Sequence, residues 1–235
     1  MNENLKTYKF VLSLAIVCAL LLSLTNSNLK EKQKYNIEVD RQKNVLKCAG
    51  FDVASLSSED IVENYNSSII EKVLSLNGDE FDIKINDLNV LENKVTGQLN
   101  YYYENNEYLP LYIYENKGMI QNYILPISGK GLWSTLFGFV SLSNDFRLVK
   151  GITFFQHAET PGLGGEVDNP NFQNQFIDKK IFDKNNDLVS VKVVKPGMAK
   201  GDHQVDGLSG ATITSNGLSN FLKEDLNRYR SFFKI

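Results

Sequence analysis

From Phe10 to Leu24 the chain reads FVLSLAIVCALLLSL without one charged side chain, and that run constrains the first part of the molecule more than any other feature. Fifteen helical residues rise about 22 Å, short of the roughly 30 Å hydrocarbon core that ~20 residues usually span. Tyr8 on one side and Thr25 to Asn28 on the other complete the length, so residues 1–28 read as a membrane anchor. A cleaved signal peptide shares the basic head and apolar middle. The exit Leu22-Ser-Leu-Thr-Asn-Ser27 has no clear Ala-x-Ala, which favours an uncleaved anchor in membrane lipid. Ile16 and Val17, where small residues would be needed, speak against a lipid-modified Cys18. Lys6 and Lys9 precede the run and Lys30, Lys32 and Lys34 follow it, so charge alone leaves the orientation open.

Beyond the anchor the chain has the balance of a globular protein, 42% hydrophobic and 23% charged over 235 residues. A formal charge of −3 gives no excess of Lys and Arg with which to neutralise phosphates, so nucleic acid is set aside as a partner. Cys18 and Cys48 are too far apart to suggest a disulfide framework, and Cys48 receives no redox role. His157 and His203 lack further ligands at metal spacing.

Residues 29–235 read as one soluble domain, with a helical lead-in over 29–80 and a sheet with the functional site over 81–235. Residues 26–36 read as a linker, and Ile37 to Ala49 as a short helix. Ser57-Ser-Glu-Asp60 is a capping pattern ahead of Ile61, Tyr65, Ile69 and Val73, whose spacing of four predicts an amphipathic helix ending near Asn77-Gly78. Phe81, Ile83 and Ile85 then alternate with polar residues, and Tyr101 to Tyr103 continue a β-rich composition. Leu111 to Tyr114 and Ile120 to Leu125 flank Glu115-Asn-Lys-Gly118, a hairpin signal with Gly where positive φ is needed. Further strands are expected over Leu148 to Phe155 and Leu188 to Val194, with short helices near Trp133 to Leu142 and Phe172 to Asp178. Leu218, Leu222, Leu226, Tyr229 and Phe233 mark the inner face of a terminal helix. The order of elements implies an α+β fold with a mostly antiparallel sheet flanked by helices.

Three segments combine glycine with polar groups beside apolar runs: Gly129-Lys-Gly-Leu-Trp133, Glu159-Thr-Pro-Gly-Leu-Gly-Gly-Glu166 and Asp206-Gly-Leu-Ser-Gly-Ala-Thr-Ile-Thr-Ser215. Val167 stands where a dinucleotide fingerprint needs its third glycine, and Gly129-Lys-Gly131 lacks the hydroxyl of a P-loop. Gly207-Leu-Ser209-Gly-Ala211 nearly matches a nucleophile elbow, with His203 and Asp206 close in sequence, but ends in Ala. In the last segment Ser209, Thr212, Thr214 and Ser215 offer four hydroxyls directly before a long helix. Unpaired N–H groups and the helix dipole there favour a phosphate. Plain helix capping by Ser or Thr explains the same composition.

Asp206 to Ser215 closely resembles the covalent flavinylation motif of FMN-binding domains, in which the Thr after Gly-Ala takes the FMN phosphate; by that match the acceptor is Thr212. Together with the 129–133 and 159–165 segments and the anchor, the chain is similar in order to the NqrC family, a subunit family of the Na+-translocating NADH:quinone reductase. The motif is shared with the homologous subunit of the related Rnf ferredoxin:NAD complex, and the Trp133 segment and the long insertion after the anchor favour NqrC. A flavin-free, membrane-tethered binding module is the explanation of a different class.

The resemblance implies one covalent FMN per chain in an electron carrier that binds neither NADH nor quinone itself. It implies Ser209, Gly210, Ala211 and Thr214 around the phosphate. Glu159, Thr160, Leu163 and Gly164 would lie against the ring, with Leu132 and Trp133 closing the pocket. Leu163 and Trp133 also read as core residues, and Lys195 either pairs with the phosphate or a ring carbonyl or is a solvated loop lysine. The implied partners are the other membrane subunits of the complex and a flavin transferase that uses FAD and a divalent metal. The implied location is a single pass through the bacterial inner membrane with the soluble domain in the periplasm.

Overall fold

The computed structural model describes residues 3–234; residues 1, 2 and 235, the extremes of the expected anchor and soluble domain, lie outside the described residues. The first element, α1 (Glu3–Ala49), is a single 47-residue helix. The expected linker over 26–36 is therefore helical, and the expected helix from Ile37 is its continuation. The physical reason is the absence of any Gly or Pro from Glu3 to Ala49, so nothing interrupts the backbone ladder. Gly50 then stops it at φ +102, with its N–H on the Lys47 carbonyl and the Phe51 N–H on the Leu46 carbonyl. The start of α1 is the one helix among the described residues long and apolar enough to cross a membrane. The chain divides into two compact units, one ending at Arg41 and one beginning at Gln42.

In the second unit α2 (Ser58–Ser68) opens with the expected capping box, the Ser57 hydroxyl and the Asp60 carboxylate each accepting the other's backbone N–H. It stops nine residues before Asn77. Ile69 begins a strand instead, β1 (Ile69–Ser75), because the β-branched residues Ile69, Ile70 and Val73 gain full ladder pairing with residues 108–114. The alternating segment from Phe81 forms only the short β2 (Glu80–Phe81), and Ile85 lies in a 3-10 turn. Then come β3 (Asn89–Glu92), β4 (Leu99–Tyr103), β5 (Asn106–Asn116), β6 (Met119–Lys130), β7 (Thr135–Ser143) and β8 (Val149–Gln156). The hairpin between β5 and β6 turns at Lys117 and Gly118, both with positive φ.

The segment from Trp133 to Leu142, expected as a helix, is instead a pair of loop residues, Trp133 and Ser134, followed by β7 from Thr135. This strand pairs with β6 on one side and β8 on the other and is buried along nearly its whole length. A strand covered on both faces shows a continuous apolar run rather than alternation, and such a run cannot be told from a helix by periodicity.

These strands form one antiparallel sheet in the order β2-β1-β5-β6-β7-β8, with β4 also pairing β5 and β3 pairing β4. After β8 come α3 (Pro170–Gln173) and a 3-10 turn over Asn174–Phe176, near the expected helix. The expected strand over Leu188 to Val194 shortens to β9 (Lys192–Val194), which pairs in parallel with β10 (Gln204–Asp206). Last are α4 (Thr212–Arg228) and α5 (Arg230–Phe233). The fold is α+β, and Leu218, Leu222, Leu226, Tyr229 and Phe233 all face the core, as their spacing predicts.

Candidate functional site

Two close approaches fix α4 on the sheet. A Cβ on Gly217 would lie 2.1 Å from the Lys130 carbonyl oxygen, and one on Gly129 would lie 2.2 Å from Phe221 Cβ. Glycine at both places lets the helix sit directly on β6. Its first turn thereby meets the 131–134 loop and the 159–165 loop, so the three glycine-bearing segments converge.

One carboxylate joins them. Glu159 is only 5% exposed. Its Oε1 accepts the N–H of Trp133 at 2.9 Å and of Ser134 at 3.0 Å, with the Ser134 hydroxyl at 3.3 Å. Its Oε2 accepts the Leu132 N–H at 3.2 Å and the Thr214 hydroxyl at 2.7 Å. Burial pushes the Glu159 carboxyl up, but these donors outweigh it, with Thr214 the strongest, and hold it below the usual range. Space for the carboxylate comes from glycine: a Cβ on Gly131 would lie 2.7 Å from Oε1, and one on Gly164 2.7 Å from Oε2 and 2.8 Å from the Thr214 oxygen.

The start of α4 is the other half of the site. Its N-cap is Ala211, and no side chain caps it, so the hydroxyl-rich sequence is not serving as an ordinary cap. The helix geometry leaves the N–H groups of Thr212, Ile213 and Thr214 without intrahelical partners. Thr214 is fully buried and Ser215 nearly so, and the Ser215 oxygen accepts the Leu208 N–H. Thr212 is exposed at the first helical position. Gly210 turns the chain at φ +71, and a Cβ there would meet Leu163 Cδ2 at 2.8 Å.

Thr212 lines a cleft of about 270 Å³ with Lys195, Leu208 and Val194. Ser209 lines a second cleft of about 290 Å³ with Glu166, Asn169 and Gln175. Leu132 and Leu163 are more than two-fifths exposed and Trp133 is 73% exposed, so the core reading of Leu163 and Trp133 is corrected. Thr160 acts through its backbone, its carbonyl accepting the N–H groups of Leu163 and Gly165.

Three contributors lie outside the residues expected around the cofactor. The Asp206 carboxylate accepts the N–H groups of Met198 and Ala199, both at 2.9 Å, and so shapes the loop that begins at Lys195. Gln175 brackets the Asp206 backbone from both sides. Ser134, one residue past the Gly129 to Trp133 segment, also accepts the Ala158 N–H. Proximity in sequence signals none of these pairings. The nucleophile-elbow reading fails on geometry: the His203 ring is engaged with the Lys180 carbonyl and the Asp206 carboxylate with the 198–199 backbone, so neither serves Ser209.

The FMN-binding domain family matches residues 131–227, a span that begins at Gly131 and contains every residue expected around the cofactor. The NqrC subunit of the Na(+)-translocating NADH-quinone reductase of Vibrio vulnificus is 34% identical, over 92% of this chain and 89% of its own length. That of Pseudomonas aeruginosa is also 34% identical, over 94% and 90%.

The chain belongs to the NqrC family.

A solved NqrC from Parabacteroides distasonis superposes with a TM-score of 0.75 at 31% identity, over 88% of this chain and 98% of that one. NqrC of Shewanella oneidensis shares the fold, with a TM-score of 0.66 at 23% identity over 82% and 94%. Membership of the NqrC family accounts for the glycine segments as parts of one FMN-binding domain. The residues fit that cofactor chemically: an accessible hydroxyl at an uncapped helix start, a lysine in the adjoining cleft and exposed apolar side chains on the neighbouring loops.

Proposed function

We propose that this chain is the electron-carrying NqrC subunit of a Na+-translocating NADH-quinone reductase and holds FMN as a phosphoester on Thr212. The observation that carries the acceptor assignment is the unequal state of the hydroxyls. Thr214 is engaged with Glu159 and Ser215 is buried, whereas Thr212 is exposed beside the open N–H groups of α4. Ser209 is exposed too, but it precedes the helix by three residues and faces the other cleft.

In this reading the N–H groups of the first turn of α4 hold the phosphate, and Lys195 neutralises it. Leu132, Trp133 and Leu163 supply the apolar surface against which a flat ring lies. When bound, the flavin supplies one-electron transfer chemistry, while the protein supplies position and electrostatics. Attachment needs a separate flavin transferase with FAD: Thr212 Oγ1 bonds to the FMN-side phosphorus, loses its proton, and AMP leaves. The other partners are the membrane subunits of the reductase and lipid around the start of α1. The same reading has the flavin domain on the periplasmic side of the inner membrane.

The test is an intact mass of the full chain co-expressed with a flavin transferase, followed by peptide mapping. One FMN less one water on the peptide containing Thr212 is the expected result. An unmodified 206–215 peptide from that material overturns the assignment.

A further inference from the structure

Only two carboxylates among the described residues are buried, Glu159 and Asp225, and only Glu159 belongs to the candidate site. Its position is unusual in what it consumes. The consecutive N–H groups of Leu132, Trp133 and Ser134 form a concave set of donors of the kind that captures anions, and the protein fills that set with its own carboxylate. The loop is thereby closed to a phosphate, and a fixed negative charge is installed beneath it. The other acidic groups nearby differ in burial: Asp168 is more than half exposed and Glu166 only partly buried, so water screens both more than it does Glu159.

The surroundings of Glu159 are the same segments that present the proposed cofactor surface. Leu132 and Trp133 bond to it through their own backbone, Gly164 packs against Oε2 beside Leu163, and Thr214 lies two residues past Thr212. A ring tethered to Thr212 and resting on Leu132, Trp133 and Leu163 has this charge on its protein side. Lys192 and Lys195, the cations of the adjoining cleft, are exposed and more weakly felt.

We propose that Glu159 is a positioning and tuning residue that makes the flavin a stronger reductant than the same loops would with a neutral side chain. This rests on the Thr212 reading above. The physical reason is that reduction adds electron density to the ring, and a nearby charge of the same sign, poorly screened because it is buried, opposes that addition. The hydrogen bonds to Glu159 offset its desolvation without removing its charge.

The experiment is a redox titration of the covalently loaded full chain in detergent, comparing wild type, Glu159→Gln and Glu159→Asp after co-expression with a flavin transferase. The Gln variant keeps the shape and loses the charge, and its midpoint potential is expected to move in the positive direction. The Asp variant keeps the charge and is expected to stay closer to wild type. Should Gln distort the loop, Thr214→Val provides a second variant: it removes a hydroxyl but leaves the carboxylate, so the potential should not rise as it does in Gln. A Gln variant with the wild-type potential, or a Val variant that shifts as far as Gln, overturns the proposal. Failure of the Thr212 reading shows separately, as wild-type protein without flavin on that peptide.

Discussion

The Thr214 hydroxyl donates to Glu159 Oε2 across 2.7 Å, tying the first turn of α4 to a loop 55 residues earlier in the chain. The bond sets what each hydroxyl of the motif can do, since it occupies Thr214 and leaves Thr212 facing outward.

Thr212→Ala should abolish flavin fluorescence that survives SDS, measured in-gel after co-expression with a transferase. The change should leave stability the same or raise it by a few tenths of a kcal/mol, because Thr212 is the exposed first residue of the helix rather than its cap and Ala is the better helix former. Loss of fluorescence in Thr214→Ala but not in Thr212→Ala would mean that Thr214 is the acceptor.

Thr214→Val removes a bond to a buried charge while keeping the volume. A loss of about 1.5–3 kcal/mol is expected, read from denaturant midpoints of the full chain in detergent. A Val variant as stable as wild type would mean that Glu159 is satisfied without Thr214.

Gly164→Ala places a methyl group 2.7 Å from Glu159 Oε2 and 2.8 Å from the Thr214 oxygen, so one of them must shift. Destabilisation of about 1–3 kcal/mol is expected, together with reduced flavin loading. Gly217→Ala should be at least as damaging, because its clash is with the Lys130 backbone carbonyl at 2.1 Å, which cannot rotate away.

Asp225 gives a pH signature. Its carboxylate accepts the Ser128 N–H at 2.7 Å and the Gln98 amide at 2.9 Å, and burial pushes it up to about 6 from an ordinary 3.8. Between those values the folded state holds more protons than the unfolded one. This contribution is therefore full below about pH 4 and is lost as pH rises to 6, by at most about 3 kcal/mol. Glu159 has the opposite sign: held below its ordinary 4.5, it contributes above that pH and loses its contribution as pH falls. Asp225→Asn should flatten the decline between pH 4 and 6, and Glu159→Gln the decline below it, in denaturation curves taken across pH. An Asn variant with the wild-type slope would show that Asp225 ionises normally in the fold.

Local chemistry makes much of this molecule legible. Leu218, Leu222 and Leu226 recur at helical spacing and do form the inner face of α4. Asn116-Lys-Gly118 does turn the hairpin, and Ser57 with Asp60 does cap α2. The same local rules misread two stretches, Ile69 to Ser75 and Thr135 to Leu142, because apolar residues in a doubly covered or fully paired strand lose the alternation that identifies it. An unbroken α1 is in principle readable from the lack of Gly and Pro, but polar composition over 26–36 suggests a linker.

The anchor run, the helix faces, the turns and the three segments in which the chemistry resides are written into the order of residues, because each depends on neighbours within a few positions. Folding in three dimensions was needed to bring a glutamate from one segment into the donor set of the second and to give it a hydroxyl from the third. Those bonds span 25 to 55 residues and form only once α4 lies on β6. Which threonine remains open is therefore a property of packing, not of the motif's spelling.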